Sequence, residues 1–206
     1  SKKVLCIVPA KKNSDGLKRK NFKKVASLPL FAHSIKVAKN CKYIDQIIVS
    51  SDSETILNYS KKKKVSIIKR SKKLSSKKAE IKDVILDVLR KIKVKFDIFV
   101  LLQPTTPIIS QHELNKCIKL IVKKNYSSVI SILSGNMTIA NLLQKKNKGL
   151  ISNVAKQQIF STNRQSYKPY YIPSGDFFIA KIDHFKKNKS FYGKMFMVSK
   201  QKINFQ

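Results

Sequence analysis

Three short stretches carry residue types that could do chemistry. The first is "PAKKNSDGLKRKN", Pro9 to Asn21. Its lysines and arginine (Lys11, Lys12, Lys18, Arg19 and Lys20) surround a single glycine, Gly16. Backbone amides and basic side chains gathered in one loop make a cradle for an anion such as phosphate. The stretch has neither the spacing G-x-x-x-x-G-K-[ST] nor G-x-G-x-x-G, so on its own it reads more as a basic turn than as a phosphate site. The second stretch is Gln103-Pro104-Thr105-Thr106-Pro107, in which prolines stiffen a loop that can hold hydroxyls toward a ligand. A plain turn is the alternative. The third is Asp52 in "SSDS", which reads first as the N-cap of the following helix.

Other chemistries are disfavoured. Cys6, Cys41 and Cys117 are scattered, which argues against a disulfide framework or a zinc site and for reduced thiols in a cytoplasm. His33, His112 and His184 are isolated, which argues against a Ser-His-Asp triad.

The elements around the three loops alternate. Val4 to Val8, Gln46 to Ser50, Val65 to Ile68, Ile98 to Leu102 and Val129 to Leu133 read as strands. Pro29 to Lys39, Ser53 to Lys62 and Glu113 to Lys123 read as helices between them. The helix from Ile81 to Ile92 has the clearest stripe, with apolar residues three and four apart. Ile98 to Leu102 is apolar throughout, as a strand buried on both faces should be. Such alternation predicts an α/β fold with a doubly wound, mostly parallel sheet. Ligands of these sheets bind outside the carboxyl ends of the strands, so the loops after Val8, Ser50 and Leu102 are the ones to inspect. The rhythm breaks over residues 136–168, which read as a polar insertion with weak helices; Phe177 to Lys181 and Met195 to Val198 read as late strands. The whole of 1–206 is expected to be a single domain carrying that insertion.

The charge is extreme: 44 Lys and Arg against 11 Asp and Glu give +33 over 206 residues. Nucleic-acid binding is one reading, because phosphate neutralisation drives such affinity. The lysines, however, are spread along the chain, and no nucleic-acid module is recognisable, so a lysine-filled surface without specific nucleic-acid function is the better expectation. No apolar run is long enough to span a bilayer, and no secretory leader pattern is visible, so neither a membrane anchor nor export is expected.

Read together, the blocks "PAKKNSDGLKRKN", "LPLFAHSIKVA", "IIVSSDSE", "VSIIKRSKKLSS", "FVLLQPTTP" and "NRQSYKPYYIPSGDFFI" resemble the acylneuraminate cytidylyltransferases, in order and spacing, over nearly the whole chain. The resemblance implies a fold of the nucleotide-diphospho-sugar transferase type. It implies transfer of CMP from CTP to a nonulosonic acid, with release of pyrophosphate and with Mg2+ as cofactor. It implies a homodimer formed through the insertion. Lys11 and Lys20 then face the triphosphate as the catalytic cations. Ala10, Asn13, Ser14, Gly16, Asn21 and Arg70 hold the nucleotide, and Gln103, Thr105, Arg164, Gln165, Ser174 and Phe178 face the acyl sugar.

The match has departures. Asp15 stands where the family has a lysine, Ile109 where it has an arginine, and Lys77 where it has an aspartate. Asn204 and Gln206 replace the acids of the family's I-D-I-D segment, so the magnesium ligands are left unassigned, with Asp176 and Asp52 the first acids to test. Two other classes stay open: a catalytically impaired homologue that binds without turnover, and a basic nucleic-acid-binding protein.

Overall fold

Val4, Cys6 and Val8 alternate with Leu5 and Ile7, and a strand sends alternate side chains to opposite faces. In a computed structural model these residues form β1 (Val4–Pro9). Val4, Cys6 and Val8 enter one core, Leu5 and Ile7 another. A strand buried on both faces needs helices on both sides of its sheet. The structure describes residues 2–13, 17, 19–124, 126–135, 143–145, 151–153, 170–192 and 196–200.

After β1 come a single 3-10 turn (Lys20–Phe22), β2 (Lys24–Val25), β3 (Leu28–Pro29), α1 (Leu30–Asn40), β4 (Gln46–Ser51) and α2 (Glu54–Lys62). Then follow β5 (Ser66–Lys69), α3 (Lys72–Ser75), α4 (Ile81–Lys91), β6 (Ile98–Leu102), α5 (Gln111–Lys124) and β7 (Ser128–Gly135). The rest are β8 (Leu143–Lys145), β9 (Ile151–Asn153), β10 (Tyr170–Lys181), α6 (Ile182–Asn188) and β11 (Phe196–Lys200). A seven-stranded sheet runs β11-β7-β10-β6-β1-β4-β5. β1 is parallel to β4 and β6, and β4 to β5, while β10 is antiparallel to β6. The expected α/β fold with a mostly parallel sheet is therefore present.

The chain leaves β1 toward β4 and β5 on one side and returns to β6 on the other. A crevice opens at such a reversal, at the carboxyl ends of the strands. Helices α1, α2 and α5 pack Phe31, Ile56 and Ile118 on one face of the sheet. Helices α4 and α6 pack Ile85, Val88 and Phe185 on the other, where Phe99 meets the Phe185 ring edge-on at 5.0 Å. Among the described residues no helix is long and apolar enough to cross a membrane. The three cysteines are buried and none is in a disulfide.

The chain divides into two compact units, Ser1–Ser131 with Gly175–Ser199, and Ile132–Ser174 with Lys200–Gln206. Of the insertion expected at 136–168, the described residues form the hairpin β8–β9, with Leu143 opposite Asn153. At residues 143–145 and 151–153 strands stand in place of the expected weak helices, and the rest of 136–168 lies outside the described residues. A polar stretch has no apolar stripe to hold a helix on a core, and cross-strand pairing satisfies its backbone instead.

A second hairpin, β2–β3, was not foreseen. Its two turn residues are Ala26 (φ 44°) and Ser27 (φ 68°), both left-handed. Such turns favour Asn-Gly, and other L-residues pay a steric cost there. The double change Ala26→Asn with Ser27→Gly should stabilise the protein by about 1–2 kcal/mol. A higher urea midpoint at unchanged m-value checks this; no shift would mean the turn is unstrained.

Candidate nucleotide-binding site

The ends of β1, β5 and β6 lie on one edge of the sheet and frame an open cleft. Lys11, Asn21, Arg70, Gln103 and Thr105 all line it. These five residues, spread from position 11 to position 105, are brought together because parallel strands end on the same edge.

Arg70 is only 7 % exposed. Its Nε donates to Ser50 Oγ at 3.2 Å and its Nη2 to the Ser50 carbonyl at 2.7 Å. Its own amide donates to the Ser51 carbonyl at 2.8 Å. Burial pushes the guanidinium down to about 10, against the opposing pull of Asp52 and Asp87. It therefore stays a cation at neutral pH, fixed against the end of β4.

The wall opposite the first loop comes from α3 and α4. Ser71 caps α3, accepting from the Leu74 amide at 3.4 Å. Leu74, Ser76, Ala79, Ile81 and Val84 then line the cleft. These were missed as site residues. Their signal is weak: small residues just before a strongly striped helix.

The loop after β6 is both a turn and a ligand-facing segment. The Thr106 amide donates to the Gln103 carbonyl at 3.3 Å, which closes the turn. Thr106 Oγ1 lies 3.0 Å from the Gly175 carbonyl and 3.3 Å from that of Gln103. Gly175 has φ +79°, a conformation glycine takes without strain. Thr106 thus ties the loop to β10, while Gln103 and Thr105 face the cleft.

The first loop is pinned near its start. The Ala10 amide donates to the Ser50 carbonyl at 3.0 Å. Asn21 Nδ2 donates to the Lys11 carbonyl at 2.6 Å, and the Lys12 amide donates to Asp52 Oδ1 at 2.7 Å. Arg19 takes a left-handed conformation (φ 55°), and its guanidinium sits 5.1 Å from the centre of the Phe22 ring.

The other expected site residues fall elsewhere. Ala10 is fully buried, Asn13 is exposed, and Lys20 is half-buried in the 3-10 turn; none lines the cleft. Phe178 packs 4.9 Å from Phe191 in the core on the α4–α6 side. Ser174 is half-buried within β10. Ser14, Asp15, Gly16, Arg164, Gln165, Asn204 and Gln206 lie outside the described residues. Asp52 is not the N-cap of α2: Ser53 fills that position, its side chain accepting from the Ile56 amide at 3.5 Å. The neighbouring serine offers the same cap chemistry, which frees the carboxylate for the first loop.

Magnesium usually takes one or two carboxylates plus substrate phosphates. Among the described residues no three His, Cys, Asp or Glu side chains gather. Asp52 Oδ1 accepts from the Lys12 amide, and Asp176 is 4 % exposed. No magnesium ligand is assigned among the described residues.

A cation-bearing cleft at the switch point of a mostly parallel sheet places this chain among the α/β folds whose ligands bind at the carboxyl ends of the strands. The fold recurs in solved structures. It is similar to CMP:2-keto-3-deoxy-manno-octonic acid synthetase complexed with CTP, at TM-score 0.70 and 11 % identity, covering 97 % of this chain and 90 % of that one. It is also similar to 4-diphosphocytidyl-2C-methyl-D-erythritol synthase from Anaerococcus prevotii, at TM-score 0.67 and 14 % identity, covering 98 % of this chain and 90 % of that one. The chain belongs to the cytidylyltransferase family, whose model matches residues 5–198. Among its relatives is the N-acylneuraminate cytidylyltransferase of Escherichia coli, 27 % identical over 193 residues, 93 % of this chain and 45 % of that protein. Another is the CMP-N,N'-diacetyllegionaminic acid synthase of Legionella pneumophila, 28 % identical over 197 residues, 92 % of this chain and 83 % of that protein. The chain spans about half the length of the N-acylneuraminate cytidylyltransferases it matches.

Proposed function

We propose that this protein transfers CMP from CTP to the anomeric hydroxyl of a nonulosonic acid. One observation carries the reading. The cleft presents two cations, Lys11 and Arg70, beside the neutral hydrogen-bonding groups of Asn21, Gln103 and Thr105, and no carboxylate among the described residues that line it. Such a lining suits a polyanion that also carries groups to be read by hydrogen bonds. Membership of the cytidylyltransferase family and relatives named for CMP-sugar synthesis supply the substrate classes.

In the reaction the anomeric oxygen bonds to the α-phosphorus and loses its proton. The bond from that phosphorus to the bridging oxygen breaks, and pyrophosphate leaves. Negative charge grows on the leaving group, so fixed cations lower the barrier. We assign Lys11 to the triphosphate, and Asn21 and Arg70 to the nucleoside; Lys20, next to Asn21 in the 3-10 turn but outside the cleft lining, is the second cation to test. Gln103, Thr105, Arg164 and Gln165 go to the acyl sugar. Mg2+ is the cofactor expected for this reaction, with no ligand assigned to it. A homodimer and a cytoplasmic location belong to the same proposal.

The test is pyrophosphate release from CTP across a panel of nonulosonic acids. Release should require both substrates and should fail with ATP or GTP in place of CTP. CTP binding without release for any acid would point to the impaired homologue. Equal thermal shifts with all four nucleotides would point to generic polyanion binding.

A further inference from the structure

One peptide unit in the first loop is gripped from both sides. Its carbonyl oxygen, on Lys11, accepts from Asn21 Nδ2 at 2.6 Å. Its nitrogen, on Lys12, donates to Asp52 Oδ1 at 2.7 Å. Both atoms belong to the same planar amide, whose C–N bond does not rotate freely. Holding both ends leaves that plane one orientation, and Lys11 hangs from one side of it.

We propose that Asn21 and Asp52 form a clamp that aims Lys11 into the cleft, and that Asp52 is a positioning residue for the triphosphate. The proposal rests on the reading of the cleft as a CTP site.

The residue types fit the task. A carboxylate only accepts, so it suits an N–H, and an anionic acceptor makes the stronger bond. A primary amide supplies the donor that the carbonyl needs. Asn21 is 5 % exposed, so water competes poorly for its bond. The clamp also begins where the sheet stops. The bond from the Ala10 amide to the Ser50 carbonyl precedes it, and the grip on the Lys11–Lys12 peptide carries that order past the end of β1. Arg70 leans on Ser50 and Ser51, directly before Asp52 in the chain. The floor of the cleft and the clamp thus share the end of β4. The helix-cap role that would otherwise explain Asp52 is taken by Ser53.

A matched control exists at the other end of the same strand. Asp45 Oδ2 accepts from the Val4 amide at 2.6 Å, the same chemistry on the edge remote from the cleft. The experiment compares Asp52→Ala, Asp52→Asn and Asp45→Ala by hydrogen exchange at the Lys12 amide and by CTP kinetics. Asp52→Ala should speed Lys12 exchange and lower kcat/KM for CTP by on the order of 10–100-fold, the usual effect of a small misplacement of a working group. Asp52→Asn keeps an acceptor oxygen and should recover most of both. Asp45→Ala should lower stability while leaving both readouts at wild-type values. Unchanged Lys12 exchange in Asp52→Ala overturns the clamp, and faster exchange with unchanged CTP kinetics overturns its positioning role. If the wild-type protein turns over no CTP while Asp52→Ala speeds exchange, the clamp stands and the proposed reaction falls.

Discussion

Arg70→Ala should lower kcat/KM for CTP by about 100-fold, the usual cost of a small misplacement of a bound substrate when a residue that holds it is lost. It should also destabilise the fold. The guanidinium makes two bonds to Ser50 from a site that is 7 % exposed. Each charge-assisted bond contributes about 1.5–3 kcal/mol, so a loss of about 2–4 kcal/mol is expected after relaxation of the site. Arg70→Lys restores a cation but not the fork that grips Ser50 at two points. It should recover less stability than charge alone would suggest. Urea unfolding and steady-state kinetics on the same preparations check both halves. A stability loss with unchanged kcat/KM would reduce Arg70 to scaffolding.

Lys11→Ala should behave in the opposite way. Lys11 lies half-buried on a loop, so its loss should shift stability by only about 0.5 kcal/mol, as for surface sites. On the proposed reaction its charge faces the leaving pyrophosphate and should matter mainly in the transition state. Turnover should then fall by about 100–1000-fold, with kcat and kcat/KM reduced together. A rise in KM at unchanged kcat would mean that Lys11 only holds the ground-state triphosphate.

The sheet was largely legible because burial on two faces leaves a plain mark. Ile98 to Leu102 is apolar throughout, and β6 spans those residues. The stripe from Ile81 became α4. The β2–β3 hairpin was not legible, since Ala-Ser is not a residue pair that announces a two-residue turn. Helix α6 was missed because it is one short element with Ile182 and Phe185 as its buried anchors.

Five of the expected residues share one cleft, while Ala10, Asn13, Lys20 and Phe178 do not line it, and the arrangement was not legible. Lys11, Asn21, Arg70, Gln103 and Thr105 came from the family resemblance, and all five line one cleft. Asp52 was misread by one position, because Asp and Ser carry the same capping chemistry and stand side by side. The grip on the Lys11–Lys12 peptide joins side chains 10 and 40 residues away in the chain. Periodicity and composition report local structure, and neither records which loop closes on which strand end.

The central claim is that this one cleft holds CTP, with the triphosphate against Lys11 and the nucleoside against Arg70. A crystal structure of the protein soaked with CTP tests it most directly. The account predicts density for the cytidine between Arg70 and the Ser76–Ala79 wall, and for the phosphates beside Lys11. A nucleotide bound anywhere else on the lysine-rich surface, with this cleft empty, would contradict it.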